Sequence, residues 1–188
     1  MKELNGLRIT LRTISKKYIN NNFDTGSYRD FENCISDLLA SRIVQSMEGF
    51  IQHSDITCLE HCMNVAHKSY MVCRIFGLDY KSAARGGLLH DLFLYDWHTT
   101  RPYKGVHAFS HPYIALENAV KYFELNRKEK DAIVKHMWPL TIVLPVCLEA
   151  LVVSFADKYC ALMETVAATA ELKRIFRRIL LKYSLNAV

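Results

Sequence analysis

Residues 29–48 read RDFENCISDLLASRIVQSME. Phe31, Cys34, Ile35, Leu38, Leu39, Ile43 and Met47 recur there at steps of three and four, which gathers them on one stripe of an α-helix. Gly49 marks its end. The same period runs through residues 57–76, stopping at Gly77, and through residues 80–94, where Ala83, Ala84, Leu88 and Leu89 carry the apolar face. Between 95 and 110 the period lapses, and Trp97, Thr99, Thr100, Pro102 and Gly105 suit an irregular loop. Pro112 fits the first position of the next helix, where a missing N–H is harmless, which puts His111 at the N-cap and the helix end near 123.

Asn126 followed three residues later by Glu129 resembles a capping box with Asn in place of Ser or Thr. It opens a helix to about 137, before Pro139. Residues 146–165 form a long apolar helix. A last segment sets Leu172, Ile175, Phe176, Ile179 and Leu180 on one stripe and Lys173, Arg174, Arg177, Arg178 and Lys182 elsewhere, the pattern of a terminal helix docked with its charges outward. No strand-like alternation is found. The reading is all-α, a compact single-domain helical bundle over residues 1–188.

Composition agrees. With 188 residues, 51% apolar and 11% aromatic, the chain can bury one core. Lys plus Arg (24) exceed Asp plus Glu (19) by only +5, which gives no strong nucleic-acid signal. Seven Gly and four Pro argue against a turn-rich β-fold. The longest apolar run, residues 143–156, is interrupted by Pro145 and Glu149 and is shorter than the about 20 residues a membrane span needs. Residues 1–13 alternate apolar and charged residues, unlike a signal peptide. Cys34, Cys58, Cys62, Cys73, Cys147 and Cys160 include no CxxC pair, so reduced thiols and a cytoplasmic location are expected. Cys58 and Cys62 share a helix face and read as small buried hydrophobes rather than ligands.

Eight histidines point to chemistry. His61 falls in the first turn of a helix. His90 and Asp91 are adjacent near the end of another, and Asp157 interrupts the apolar run 151–156. His111 and His136 sit at helix ends. An ionised Asp among apolar neighbours is costly unless paired or bound to a cation, and imidazoles beside it would supply nitrogen ligands for a divalent metal. His53 and His67 flank the first of these helices and read as supporting or surface residues.

The series His61 … His90-Asp91 … Asp157 resembles the HD-domain phosphohydrolase superfamily, named for its His-Asp doublet. The surroundings are similar too: Glu60-His61-Cys62-Met63-Asn64-Val65-Ala66, Gly87-Leu88-Leu89-His90-Asp91 and Ala156-Asp157-Lys158. The resemblance covers about residues 50–165, an HD-type metal-binding core on which residues 1–49 and 166–188 would pack as flanking helices. It implies one divalent metal held by His61, His90, Asp91 and Asp157. His111-Pro112-Tyr113-Ile114-Ala115 and Lys135-His136-Met137 are similar to segments of a subgroup that binds two metals. That implies a second ion on His111 and His136, bridged by Asp91, with His107 competing for the place of His111. The metal could be Fe, Mn, Zn, Ni, Co or Mg.

The resemblance implies a metal-dependent phosphohydrolase acting on a small phosphate ester, a nucleotide being one option, as monomer or homodimer. A divalent ion brings the pKa of bound water toward neutrality, and the hydroxide attacks phosphorus. Catalysis would centre on His90 and Asp91. No GxSxG, GxxxxGK or HExxH motif offers another chemistry. One departure stands out: family members often place a small residue and Lys after the doublet, and here Leu92-Phe93-Leu94 follows. A phosphate-steering cation must then come from elsewhere, with Arg85, Arg101, Lys104 and Lys158 as candidates, or the substrate differs. Tyr95, Asp96, Trp97 and His98 would rim the pocket. Two other readings of the same ligand set are a di-iron, O₂-dependent oxygenase and a non-catalytic ligand-sensing domain.

Overall fold

The computed structural model describes residues 25–53, 56–97, 99 and 106–185, with side chains undescribed at 25–27, 53, 107, 171–173 and 175–185. His98, Arg101 and Lys104 therefore lie outside the described residues, as do residues 1–24. Among the described residues seven α-helices carry the fold: α1 (Thr25–Leu39), α2 (Arg42–Gln45), α3 (Cys58–Ile75), α4 (Tyr80–Leu89), α5 (His107–Tyr122), α6 (Arg127–Lys135) and α7 (Leu148–Leu185). The all-α reading holds. The only sheet among the same residues is a two-stranded antiparallel ribbon, β1 (Ile51–His53) and β2 (Ile56–Thr57), pairing Ile51 with Thr57 and His53 with Ile56.

The expected single helix over 29–48 is broken. Ser41 takes an extended backbone and its side chain accepts from the Ile43 N–H, so the chain restarts as α2 and then tightens into a 3₁₀ turn, Ser46–Gly49. This lets Leu38, Leu39, Val44 and Met47 all reach the core formed by Phe31, Ile35, Leu59, Met63, Tyr70, Leu88 and Leu92.

Helix α3 begins at a capping box: Thr57 accepts from the Glu60 N–H at 3.2 Å, and Glu60 accepts from the Thr57 N–H at 3.1 Å. It ends before Gly77, whose φ of +66° is the left-handed geometry of a helix stop. The expected capping box of α6 is also present, with Asn126 accepting from Glu129 N–H at 2.9 Å and Glu129 from Asn126 N–H at 2.8 Å.

Helix α4 ends at Leu89, earlier than expected. The Leu92 and Phe93 N–H groups bond to the Leu89 and Asp91 carbonyls, and Leu94 takes φ +59°. The chain thus turns just past the His-Asp doublet. Helix α5 starts earlier than expected, at His107, so Pro112 lies inside it and His111 is not its N-cap. The Phe109 N–H reaches Val106 O, a three-residue step, and the Ser110 hydroxyl reaches the same carbonyl. Finally, residues 148–185 contain neither Gly nor Pro, and the two expected C-terminal helices are one, α7. Helix α7 packs across α3, α4 and α6. Its Val153, Ala156 and Cys160 form a second core with Val65, Cys73, Ala83 and Ala132. No helix among the described residues is long and apolar enough to cross a membrane.

Candidate metal centre

Five elements deliver polar side chains to one buried spot. His61 comes from the first turn of α3, His90 and Asp91 from the end of α4, His111 from α5, His136 from the end of α6 and Asp157 from α7. All but Asp157 are buried at 5% exposure or less, and the Asp157 side chain is 13% exposed. Apolar packing on α3, α4 and α7 turns these six inward, although they are separated by up to 96 positions.

Among the described residues three groups of donors emerge, two of them built from His and Asp alone. In the first, His61 Nε2 lies 3.1 Å from Asp157 Oδ1, and His90 Nε2 lies 3.6 Å from the same oxygen and 3.4 Å from Asp91 Oδ2. In the second, His111 Nε2 and His136 Nε2 lie 3.2 and 3.5 Å from Asp91 Oδ1. Asp91 stands between them, one oxygen turned to each. The donor atoms of His61, His90 and Asp157 all lie within 4.8 Å of one another, as do those of Asp91, His111 and His136.

Hydrogen bonds around the rings fix which nitrogen faces inward. His90 Nδ1 donates to Gly87 O at 2.7 Å, and His136 Nδ1 donates to Ile133 O at 2.7 Å. Each Nε2 is then left with its lone pair pointing into the spot. His90 Nε2 and Asp91 Oδ1 are buried and receive no hydrogen bond. Lone pairs facing one another in a buried space are unfavourable unless a cation lies among them. Nitrogen and carboxylate donors suit a borderline or hard divalent metal, so the residues present fit such an ion.

The imidazoles and carboxylates also act on one another. Burial pushes both carboxylates up, but the imidazoles of His90, His111 and His136 hold Asp91 far below its usual range, and His61 and His90 do the same for Asp157. Burial, with the neighbouring His90 and His111, pushes His136 down to about 3, so its ring is neutral. Burial opposes a charge on His61, but Asp157 and Glu164 on its two nitrogens outweigh it and raise its pKa well above 6.5.

The remaining candidates divide. Arg85 is a correction. Its guanidinium is committed to Glu129 Oε1 at 2.8 Å and Asp37 Oδ1 at 2.6 Å, joining α4 to α6 and α1, so it does not steer phosphate. Lys158 does reach the centre: its ammonium donates to Asp157 Oδ2 at 3.1 Å and to the His136 carbonyl. Helix α5 includes His107, whose side chain is undescribed. Tyr95 and Trp97 pack against the main core. Cys58 and Cys62 are buried and free. Burial and the adjacent Cys58 push the Cys62 thiol well up, and His90 Nδ1 beside it at 3.7 Å is already bonded to Gly87 O. Cys62 nevertheless lies with His90 and Asp91 in a third group of donors that could hold an ion.

Three residues were not anticipated. Gln52 on β1 donates to Asp91 Oδ2 at 2.6 Å, Glu164 on α7 faces His61 Nδ1 at 2.9 Å, and Asn64 on α3 donates to Glu164 at 3.1 Å. A strand of three residues has no readable period, and Glu164 looks like any polar residue on a long helix.

An all-α bundle with a buried His/Asp centre built from a doublet at a helix end defines a class of candidate metal-binding helical domains. The family model of the HD domain matches residues 58–162, more than half of the chain, and the chain belongs to the HD-domain family. Comparison with curated proteins and with solved structures returned no significant match.

Proposed function

We propose that the protein is a metal-dependent phosphohydrolase acting on a small phosphate ester, with water as the nucleophile. The observation that supports this most is the meeting of His90 Nε2 with Asp91 Oδ2 and Asp157 Oδ1 at 3.4 and 3.6 Å, with that buried nitrogen making no hydrogen bond. In this reading His61, His90, Asp91 and Asp157 would hold one ion, and Asp91, His111 and His136 a second. Divalent ions there would supply an activated water near neutral pH and positive charge for a phosphate oxygen.

The chain's own residues prepare the place. The Gly87 and Ile133 carbonyls hold His90 and His136 in the tautomer that presents Nε2. Gln52 anchors one oxygen of Asp91. Lys158, 34% exposed and bonded to Asp157, is the described cation we assign to the incoming phosphate. The Cys62 thiol beside the centre is held protonated, which supports water over a cysteine nucleophile. The six free cysteines support a reducing, cytoplasmic setting.

The test is elemental analysis of protein purified without added metal, followed by phosphate release from a panel of phosphate esters. Release should require metal and collapse in Asp91→Ala. Fully metallated protein inert across the panel would sink the reading. Bound iron with oxygen-dependent turnover would transfer the assignment to an oxygenase.

A further inference from the structure

We infer that Glu164 is a positioning residue of the metal centre, holding the His61 ring through Nδ1 so that Nε2 is presented to the cation. The inference rests on the metal-centre reading above. Glu164 lies beyond the segment, residues 58–162, that the HD-domain model matches. It sits two helical turns after Asp157 on α7, so both carboxylates project from one face of that helix.

The two residues grip one ring from opposite sides. Glu164 Oε2 lies 2.9 Å from His61 Nδ1, while Asp157 Oδ1 lies 3.1 Å from Nε2. Nδ1 donates its proton to Glu164, which leaves Nε2, beside Asp157, as the nitrogen that would serve a cation. The carboxylate is itself locked. Its other oxygen, Oε1, accepts from Asn64 Nδ2 at 3.1 Å, and Asn64 lies one turn after His61 on α3. The Glu164 side chain is only 7% exposed, so its bond to His61 is little weakened by water. The resulting chain of Asn64, Glu164 and His61 fixes ring orientation and tautomer and raises the basicity of the nitrogen left for the metal.

Affinity for Co²⁺ measured by competition with a chromogenic chelator tests this. Glu164→Ala should weaken binding by about 10–100-fold, the usual effect of losing a residue that orients a metal-ligating histidine. Glu164→Gln keeps an acceptor oxygen for Nδ1 and should recover most of that loss. Asn64→Ala, which only frees the carboxylate to rotate, should weaken binding a few-fold. If Glu164→Ala does not fold, the Gln and Asn64 variants carry the comparison. Folded Glu164→Ala that binds Co²⁺ as tightly as the wild type overturns the inference, and so does an equal loss in the Ala and Gln variants. Wild-type protein that binds no divalent metal overturns instead the reading on which the inference rests.

Discussion

The Nε2 atoms of His111 and His136 stand 2.8 Å apart, and Asp91 Oδ1 lies 3.2 Å from the first. His136 Nδ1 is bonded to Ile133 O, so its inward nitrogen carries a lone pair. This corner is separate from the one built by His61, His90 and Asp157, and only Asp91 belongs to both. His136→Ala should therefore lower metal content from about two ions per chain to about one, because two-metal sites are clamps with distinct ligand sets. Elemental analysis after dialysis checks this. Unchanged stoichiometry in a folded variant would remove His136 from the ligand set.

Metal should also stabilise the fold. The ligands come from α3, α4, α5, α6 and α7, which hold together only in the native state. Metal at a hundred times its Kd should add about 2.7 kcal/mol. For a chain of this size that is roughly 5–10 °C in Tm. Calorimetry of chelator-treated and metal-loaded protein would measure it, and Asp91→Ala should abolish the difference.

Helix spacing sets the ligand geometry. A Cβ on Gly87 would come within 2.9 Å of Ala66 Cα and 3.1 Å of Ala66 N, which is helix backbone and cannot yield like a flexible side chain. Gly87→Ala should cost about 1–3 kcal/mol by overpacking. Because His61 rides on α3 and His90 on α4, the displacement should also weaken metal binding. Gly49, where an added Cβ would meet nothing within 4 Å, is the control: Gly49→Ala should leave both properties unchanged.

What the sequence made legible follows from what repeats along it. Helical stripes such as Phe31–Ile35–Leu38 and the capping box at Asn126 are local, and both are found in the structure. The convergence of the histidines was inferred from spacing and resemblance, and the buried core brings them together. Breaks were less readable. Ser41 restarts a helix with only a local side-chain bond, and the tight turn around Val106 lets α5 begin before Pro112. Gln52 and Glu164 were invisible because their roles depend on partners 39 and 103 positions away. Arg85 was misassigned for the same reason: its charge is satisfied across helices, by Asp37 and Glu129.

That correction has its own consequence. Removing the Arg85 guanidinium would leave the buried Glu129 carboxylate, 5% exposed, without its cation. Arg85→Leu should destabilise the fold by about 3 kcal/mol, as when one partner of a buried pair is lost. Metal content should not change. Adding Glu129→Gln should recover part of the loss, since Gln can still accept from the Asn126 N–H and close the capping box. Urea unfolding of the three proteins gives the comparison, and a change in metal stoichiometry in folded Arg85→Leu would return Arg85 to the site.

His67 gives the pH dependence its sign. It lies on α3, half-buried, with its ring edge-on to Phe31 at 5.0 Å between centroids. Burial, reinforced by the charge of Lys68, brings its pKa from 6.5 down to about 4. Between these values the unfolded chain holds a proton that the folded chain refuses, so stability falls as pH drops through this window. Above 6.5 both states are neutral and the residue contributes no slope. His67→Leu keeps an apolar side chain against Phe31 and removes the proton. Its stability relative to wild type should rise by on the order of 2 kcal/mol between pH 7 and pH 4.5. Urea unfolding at the two pH values, each with wild type alongside, measures that difference. A gap that stays constant would mean that the folded protein accepts the proton at His67 as readily as the unfolded chain does.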